Sequence, residues 1–239
     1  WRVMFLLSAP LALVAVFIRM RLAESPVFKE LAANSGLARR PLKEALTANP
    51  RRLLSGTLYM IGYFGGAIML LFFMPTYLTK DLGMAVTDTS LLMAGATLTF
   101  ALLIPIFGWL TDILTRFQAR VLSTSLHALI SLPAFLLISG NATGAIVFGL
   151  ILLATLQAFY YAIGPLTVVD IFPARIRFTS GTIVMNVPVA IVPAILPPLA
   201  AVATTMTGLS FAPALVAVGL SLVGLIGAIG LRSAGQPTR

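Results

Sequence analysis

Two tyrosines four residues apart, Tyr59 and Tyr63, and a second group of Gln157, Tyr160 and Tyr161 place large, neutral hydrogen-bonding side chains in the apolar parts of this chain. Asn186 adds one more amide. Tyr and Gln offer donors and acceptors without a fixed charge, and a Tyr ring adds an electron-rich face for a cation. Such groups can line a pocket for a small polar molecule, and each can equally make a hydrogen bond between two helices. His127, the one histidine, has two readings as well: a proton relay, or a side chain satisfied by a neighbouring helix. Covalent and metal chemistry find no support. The chain has no cysteine, no His-Glu metal spacing, no GxSxG and no phosphate-binding glycine loop. A single histidine would have to serve any Ser–His pair, so neither catalytic residues nor a metal site is expected, and no cofactor is implied.

The elements that must position these groups are long apolar runs. Seven of them occupy roughly 3–18, 53–79, 89–111, 121–139, 144–168, 180–203 and 211–231. Most reach the roughly 20 residues that a helix needs to cross a bilayer. Only 10% of residues are charged and 59% are hydrophobic, whereas about 25% of a soluble domain is charged. The pattern predicts an all-α, polytopic membrane protein with seven transmembrane helices. At about 1.5 Å per residue, the six polar side chains all fall in the inner half or middle of the bilayer, on three helices. That shared depth favours a polar cavity for a small-molecule substrate.

Basic residues sort by gap. Arg19, Arg21, Lys29, Arg39, Arg40, Lys43, Arg51 and Arg52 lie in the first gap, Arg116 and Arg120 in the third, Arg175 and Arg177 in the fifth, and Arg232 and Arg239 after the last run. Only Arg2 and Lys80 fall on the other side. The positive-inside rule then predicts a start outside, seven crossings and a cytoplasmic end. A net charge of +9 could suggest nucleic acid, but no aromatic-rich basic patch accompanies it. Topology and contact with anionic headgroups of the lipid bilayer account for it, and no nucleic-acid partner is expected. An odd number of spans and an opening straight into an apolar run suggest a fragment with further sequence before Trp1.

Within the first gap, Ser25-Pro26 opens a short amphipathic helix ended by Asn34-Ser35-Gly36, and a second is expected over Pro41–Ala48, stopped by Asn49-Pro50. In the second run Gly62, Gly65 and Gly66 permit close helix approach. Pro188, Pro193, Pro197 and Pro198 predict a kinked or partly unwound sixth run.

Two gaps carry more pattern than their length requires. The third has Gly108, Asp112 and Arg116 at successive fours, and there the chain resembles the major facilitator superfamily, whose loop signature is a Gly, an Asp four later and then basic residues. Ile113 stands where that pattern usually has Arg, and Thr115 where it has Gly. The fifth gap, Asp170-Ile-Phe-Pro-Ala-Arg-Ile-Arg, resembles the acidic-x-Phe-Pro-x-x-x-Arg loop between helices ten and eleven of the same superfamily. Pro173 enforces a turn, Asp170 can pair with Arg175 or Arg177, and Thr179 or Ser180 can cap the next helix. The opening, with Glu24-Ser25-Pro26-Val27-Phe28, and the stretch FFMPTYL at 72–78 are similar to helix six and the end of helix seven of the metabolite:proton symporters.

The resemblance implies that the chain is helices six to twelve of a twelve-helix transporter in the plasma membrane, a bacterial inner membrane. Residues 1–18 become helix six, 19–52 the cytoplasmic loop between halves, 53–231 the C-terminal six-helix bundle and 232–239 a cytoplasmic tail. The partner is a missing N-terminal half. Runs two, five and six become cavity-lining helices, and His127 falls on a peripheral helix. The function implied is alternating-access, proton-coupled symport of an organic acid or zwitterionic osmolyte. Gly108, Asp112, Arg116, Asp170, Pro173, Arg175 and Arg177 would form a cytoplasmic gate. A uniporter or proton-driven efflux transporter of the same superfamily is the alternative. A seven-helix receptor is a distant one, because the last run holds no Lys for a retinal and the loop motifs would have no role. Proton coupling needs a titratable group in the pathway, and with only His127 available here the coupling carboxylate is expected in helices one to five.

Overall fold

The computed structural model describes residues 2–21, 29, 30, 33, 38, 40–140 and 142–232. The chain divides into two compact units, Trp1–Arg39 and Arg40–Arg239. The first unit contains α1, Arg2–Arg21, with Pro10 inside it and Arg19 and Arg21 in its last turn. Its 20 residues give a length of about 30 Å, the thickness of a hydrocarbon core. The Arg21 guanidinium sits 5.0 Å above the Phe17 ring, a cation–π contact that shields the helix end. The helix expected after Ser25-Pro26 falls on residues most of which lie outside those described.

The second unit opens with α2, Pro41–Ala48, the short helix expected there. Pro41 supplies the fixed φ of a first turn, and Asn49-Pro50 ends α2 and starts the next helix. Six long helices follow: α3 (Pro50–Asp81), α4 (Val86–Ile113), α5 (Arg116–Ser139), α6 (Thr143–Ile171), α7 (Ala174–Thr207) and α8 (Ala212–Gly230). Among the described residues these six are long and apolar enough to cross a membrane, and no strand occurs. With α1 they make an all-α, multi-pass membrane protein.

Turns of two to four residues join α3 to α8, so successive helices run antiparallel. The starts of α3, α5 and α7 and the ends of α4, α6 and α8 therefore share one end, which carries the described arginines of this unit. At that end Arg232, just past α8, lies 5.9 Å over the Phe117 ring at the start of α5. Lys80, Asp81 and Asp88 lie at the other end.

One helix overruns its apolar run because a polar turn caps it. Thr115 Oγ1 accepts from the Gln118 N–H at 3.2 Å, and Gln118 Oε1 accepts from the Thr115 N–H at 3.1 Å. This reciprocal cap starts α5 at Arg116, so Arg120 lies one turn inside a helix rather than in a loop. Thr179 and Ser180 do not cap α7, as the sequence allowed. Pro173 takes the N-cap position with ψ of 149°, and α7 begins at Ala174, which leaves both hydroxyl residues inside the helix.

The four prolines of α7 do not unwind it. All 34 residues are helical, and Gly208, at φ of 67°, ends it in the left-handed region. The irregular helix is α3. Around Pro75 its bonding widens to i→i+5 over Met69–Phe73 and Tyr77–Asp81, with the Met74 N–H on the Met69 carbonyl and the Leu82 N–H on the Tyr77 carbonyl. Pro75 removes the N–H that would reach Leu71 and crowds that carbonyl, and the ladder shifts by one residue.

The tightest seam joins α3 to α8. A Cβ on Gly62 would lie 3.0 Å from Gly224 Cα and 3.1 Å from the Leu220 carbonyl oxygen. A Cβ on Gly227 would run into the backbone of Ser55, Leu58 and Tyr59. The close approach expected at Gly62 is thus with the last helix, backbone against backbone.

Candidate functional site

Tyr59 and Tyr63 on α3 meet Gln157, Tyr160 and Tyr161 on α6 through ring contacts and hydrogen bonds. Tyr63 stacks on Tyr161 with centroids 4.3 Å apart and an 11° interplanar angle, and it meets Tyr160 edge-on at 5.9 Å. Gly164 makes room for it, since any Cβ there would overlap the Tyr63 ring. The Tyr160 hydroxyl donates to the Tyr59 carbonyl at 2.8 Å, and Gln157 Nε2 donates to the Tyr63 carbonyl at 3.1 Å.

Burial separates these five. Tyr59, Tyr63, Gln157 and Tyr160 are packed inside the bundle, where two of them tie α6 to the α3 backbone. Each such interhelical bond is worth about 0.6 kcal/mol on average in a membrane. Tyr161 is half-buried and reaches the outer face of the cluster. Asn186 stands apart. It is exposed on α7, and its amide donates to the Thr182 carbonyl of its own helix at 2.9 Å. The six polar residues thus form a buried helix–helix lock, a half-open Tyr161 beside it and a separate Asn186, rather than one lining.

His127 joins the lock from α5. Its Nδ1 lies 2.8 Å from Ser221 Oγ on α8 and 3.1 Å from Ser131 Oγ one turn on. Its Nε2 faces Gly66, beside Gln157 Oε1, and a Cβ on Gly66 would strike both. A small residue at 66 lets α5 and α6 bring their polar groups against α3.

At the arginine-rich end, three helices converge on the last residues of α6. Arg116 Nε of α5 lies 3.2 Å from Asp170 Oδ2, Arg52 Nη1 of α3 donates to the Ile171 carbonyl at 3.4 Å, and Arg177 Nε of α7 donates to the Phe172 carbonyl at 3.1 Å. A helix C-terminus leaves carbonyls without intrahelical partners and carries partial negative charge, so cations settle there. Asp170 therefore pairs with Arg116, not with Arg175 or Arg177 as the sequence allowed. Arg175 instead meets Glu44 of α2 at 2.9 Å. Asp112 and Gly108 sit on α4. Asp112 is exposed without a hydrogen bond or ion pair among the described residues, and a Cβ on Gly108 would meet nothing within 4 Å.

Three participants were missed by sequence reasoning. Glu44 carries no signal in the sequence, and Arg52 reads there only as a loop charge. Arg120, also counted so, is fully buried and donates from Nη2 to the Leu231 carbonyl at 3.1 Å, holding the end of α8. The available signal was the Thr115–Gln118 cap, which puts Arg120 inside α5 on the face of Ala119 and Ser123.

A bundle of apolar spans, buried interhelical polar bonds and charge clustered at one end define a polytopic α-helical membrane protein. The comparisons name its family: the chain matches the Major Facilitator Superfamily over residues 1–175 and belongs to it. The curated relatives that it matches carry transporter names. It is 29% identical to the inner membrane metabolite transport protein YhjE of Escherichia coli, over 95% of this chain and 51% of that protein. It is 27% identical to the proline/betaine transporter of Salmonella typhimurium, over 100% of this chain and 50% of the relative. The ectoine/proline transporter ProP of Corynebacterium glutamicum is 25% identical, over 90% and 45%. The chain spans about half the length of these curated relatives. No solved structure matches it significantly.

Proposed function

We propose that this chain is the C-terminal part of a secondary transporter that carries a small polar metabolite, an organic acid or zwitterionic osmolyte, by proton-coupled symport. The observation that carries the reading is the match along the whole chain to half the length of proteins named as metabolite and proline/betaine transporters. Residues 1–18 act as helix six, 19–52 as the cytoplasmic link between halves, 53–231 as the C-terminal bundle and 232–239 as a cytoplasmic tail. The protein lies in a bacterial inner membrane with its arginine-rich end in the cytoplasm, in keeping with the positive-inside rule. Alternating access rocks this bundle against the preceding half around a site near the midplane.

The ion pairs support a gate at the arginine-rich end. Arg116–Asp170 and Arg175–Glu44 are partly exposed and so worth about 0–1 kcal/mol each, weak enough to break and re-form in a cycle. Pro173 holds the turn between them, and exposed Asp112 is free to face the other half. Of the six polar residues singled out, half-buried Tyr161 and exposed Asn186 are the two left accessible to line a cavity with the other half. His127 is enclosed by helix–helix hydrogen bonds, so the coupling carboxylate is assigned to the preceding helices.

Uptake of labelled betaine, proline and dicarboxylates into cells, with and without a proton-collapsing agent, tests the reading. Uptake abolished by the agent supports symport, and uptake indifferent to it leaves a uniporter.

A further inference from the structure

We propose that a cavity at the end of the bundle opposite the arginines binds the cationic end of a small onium or zwitterionic molecule, held by Asp81 and the rings of Phe72 and Phe73. The cavity, of about 410 Å³, lies between the irregular part of α3 and the last turns of α7, with Phe72, Phe73, Thr76 and Asp81 on one wall and Thr204 and Thr205 on the other. That volume falls in the range of small-molecule sites, roughly 300–1,000 Å³.

The wall on α3 exists because of the widened turns. In a regular α-helix, at about 100° per residue, positions nine apart such as 72 and 81 point about 180° away from each other. The two i→i+5 stretches, Met69–Phe73 and Tyr77–Asp81, rotate less per residue. They bring Asp81 round to the side of Phe72 and Phe73, and all three residues line one cavity. Such turns recur at functional sites, and here they join a negative charge to two aromatic rings.

That combination selects a cation. A ring face and a carboxylate both attract an onium group, whereas an anion would meet repulsion from Asp81. Asp81 is exposed and takes part in no ion pair among the described residues, its neighbour Lys80 included. The threonine hydroxyls can serve the polar remainder of a zwitterion, since Thr204 and Thr205 donate to their own helix and keep acceptor capacity. The inference deepens the transport reading, on which it rests for the physiological ligand: the site would gather an onium solute at the end away from the proposed gate.

Tetramethylammonium is the probe, with neutral neopentyl alcohol as the control of similar shape. Saturation-transfer NMR on the protein in lipid nanodiscs should show transfer to tetramethylammonium and little to the alcohol. Asp81→Asn and the double change Phe72→Leu, Phe73→Leu should each weaken binding by about five- to tenfold, and Asp81→Glu should retain it. Unchanged thermal unfolding of Asp81→Asn would separate lost binding from lost folding. No binding, binding equal for the alcohol, or binding indifferent to these changes overturns the site. Binding that behaves as expected in a protein that takes up no solute upholds the site and removes the transport reading instead.

Discussion

The Arg116 guanidinium and the Asp170 carboxylate meet at 3.2 Å, joining the first residue of α5 to the last turn of α6 across nearly the whole length of both helices in sequence. The pair sits where Arg52 and Arg177 bond the next two carbonyls, so one helix end gathers cations from three others. Asp170→Asn should leave thermal unfolding within about 1 kcal/mol of the parent, because the pair is partly exposed. Maximal uptake should fall several-fold. In a double-mutant cycle with Arg116→Gln the two losses should not add, and strictly additive losses would show the two residues acting separately.

Asp112→Asn should lower transport rate more than apparent affinity, measured as initial uptake against substrate concentration. Unchanged kinetics would remove Asp112 from the gate. Gly108→Ala is the companion test. A methyl there meets nothing within 4 Å, so unfolding should not change. Any loss of uptake in that variant then reports a close approach from outside this chain.

Gly227→Ala should destabilise the bundle by about 1–3 kcal/mol, since its methyl would press on the α3 backbone rather than on a side chain that could move. Gly95→Ala, with open space around it, should be neutral. Thermal unfolding in detergent, followed by size-exclusion chromatography, compares the two. Equal stability of both variants would contradict the seam between α3 and α8.

His127→Leu should lower stability by about 0.6–1.7 kcal/mol by removing the interhelical bond to Ser221, whose hydroxyl keeps its bond to the Ala217 carbonyl. The shape of the pH profile of uptake should stay as in the parent, because His127 is enclosed by other helices. A profile that loses one limb in this variant would make it a relay after all.

Tyr160→Phe keeps the ring and removes the hydrogen bond to the Tyr59 carbonyl, so it should lower stability by about 0.6–1.7 kcal/mol with little change in KM. Asn186→Ala should do the reverse, raising KM at constant stability, because its amide bonds only its own helix. The KM and unfolding data together tell a packing tyrosine from a cavity asparagine.

Much of this architecture was legible from residue order alone. Apolar runs of bilayer length marked all six long helices of the second unit, and Pro41–Ala48 was bounded by its own turn residues. The Gly, Asp and Arg spacing of the third gap pointed to the family that the comparisons show. These are local signals, because hydropathy, caps and loop charge act within a few residues of where they are written.

Partnership was not local, and the tertiary structure decided it. The sequence offered Asp170 two nearby arginines, Arg175 and Arg177, and the packing of α5 against α6 gave it Arg116 instead. Tyr59, Gln157 and Tyr160 share a bilayer depth with Asn186, yet helix rotation turns the first three inward and leaves Asn186 exposed. Pro75 was one proline among 15, and its effect on α3 emerged only with the register of the helical ladder. Residue order set which segments enter the membrane, since transfer from water depends on composition. The faces that meet there depend on how side chains from distant segments fill the same space, and no single segment carries that information.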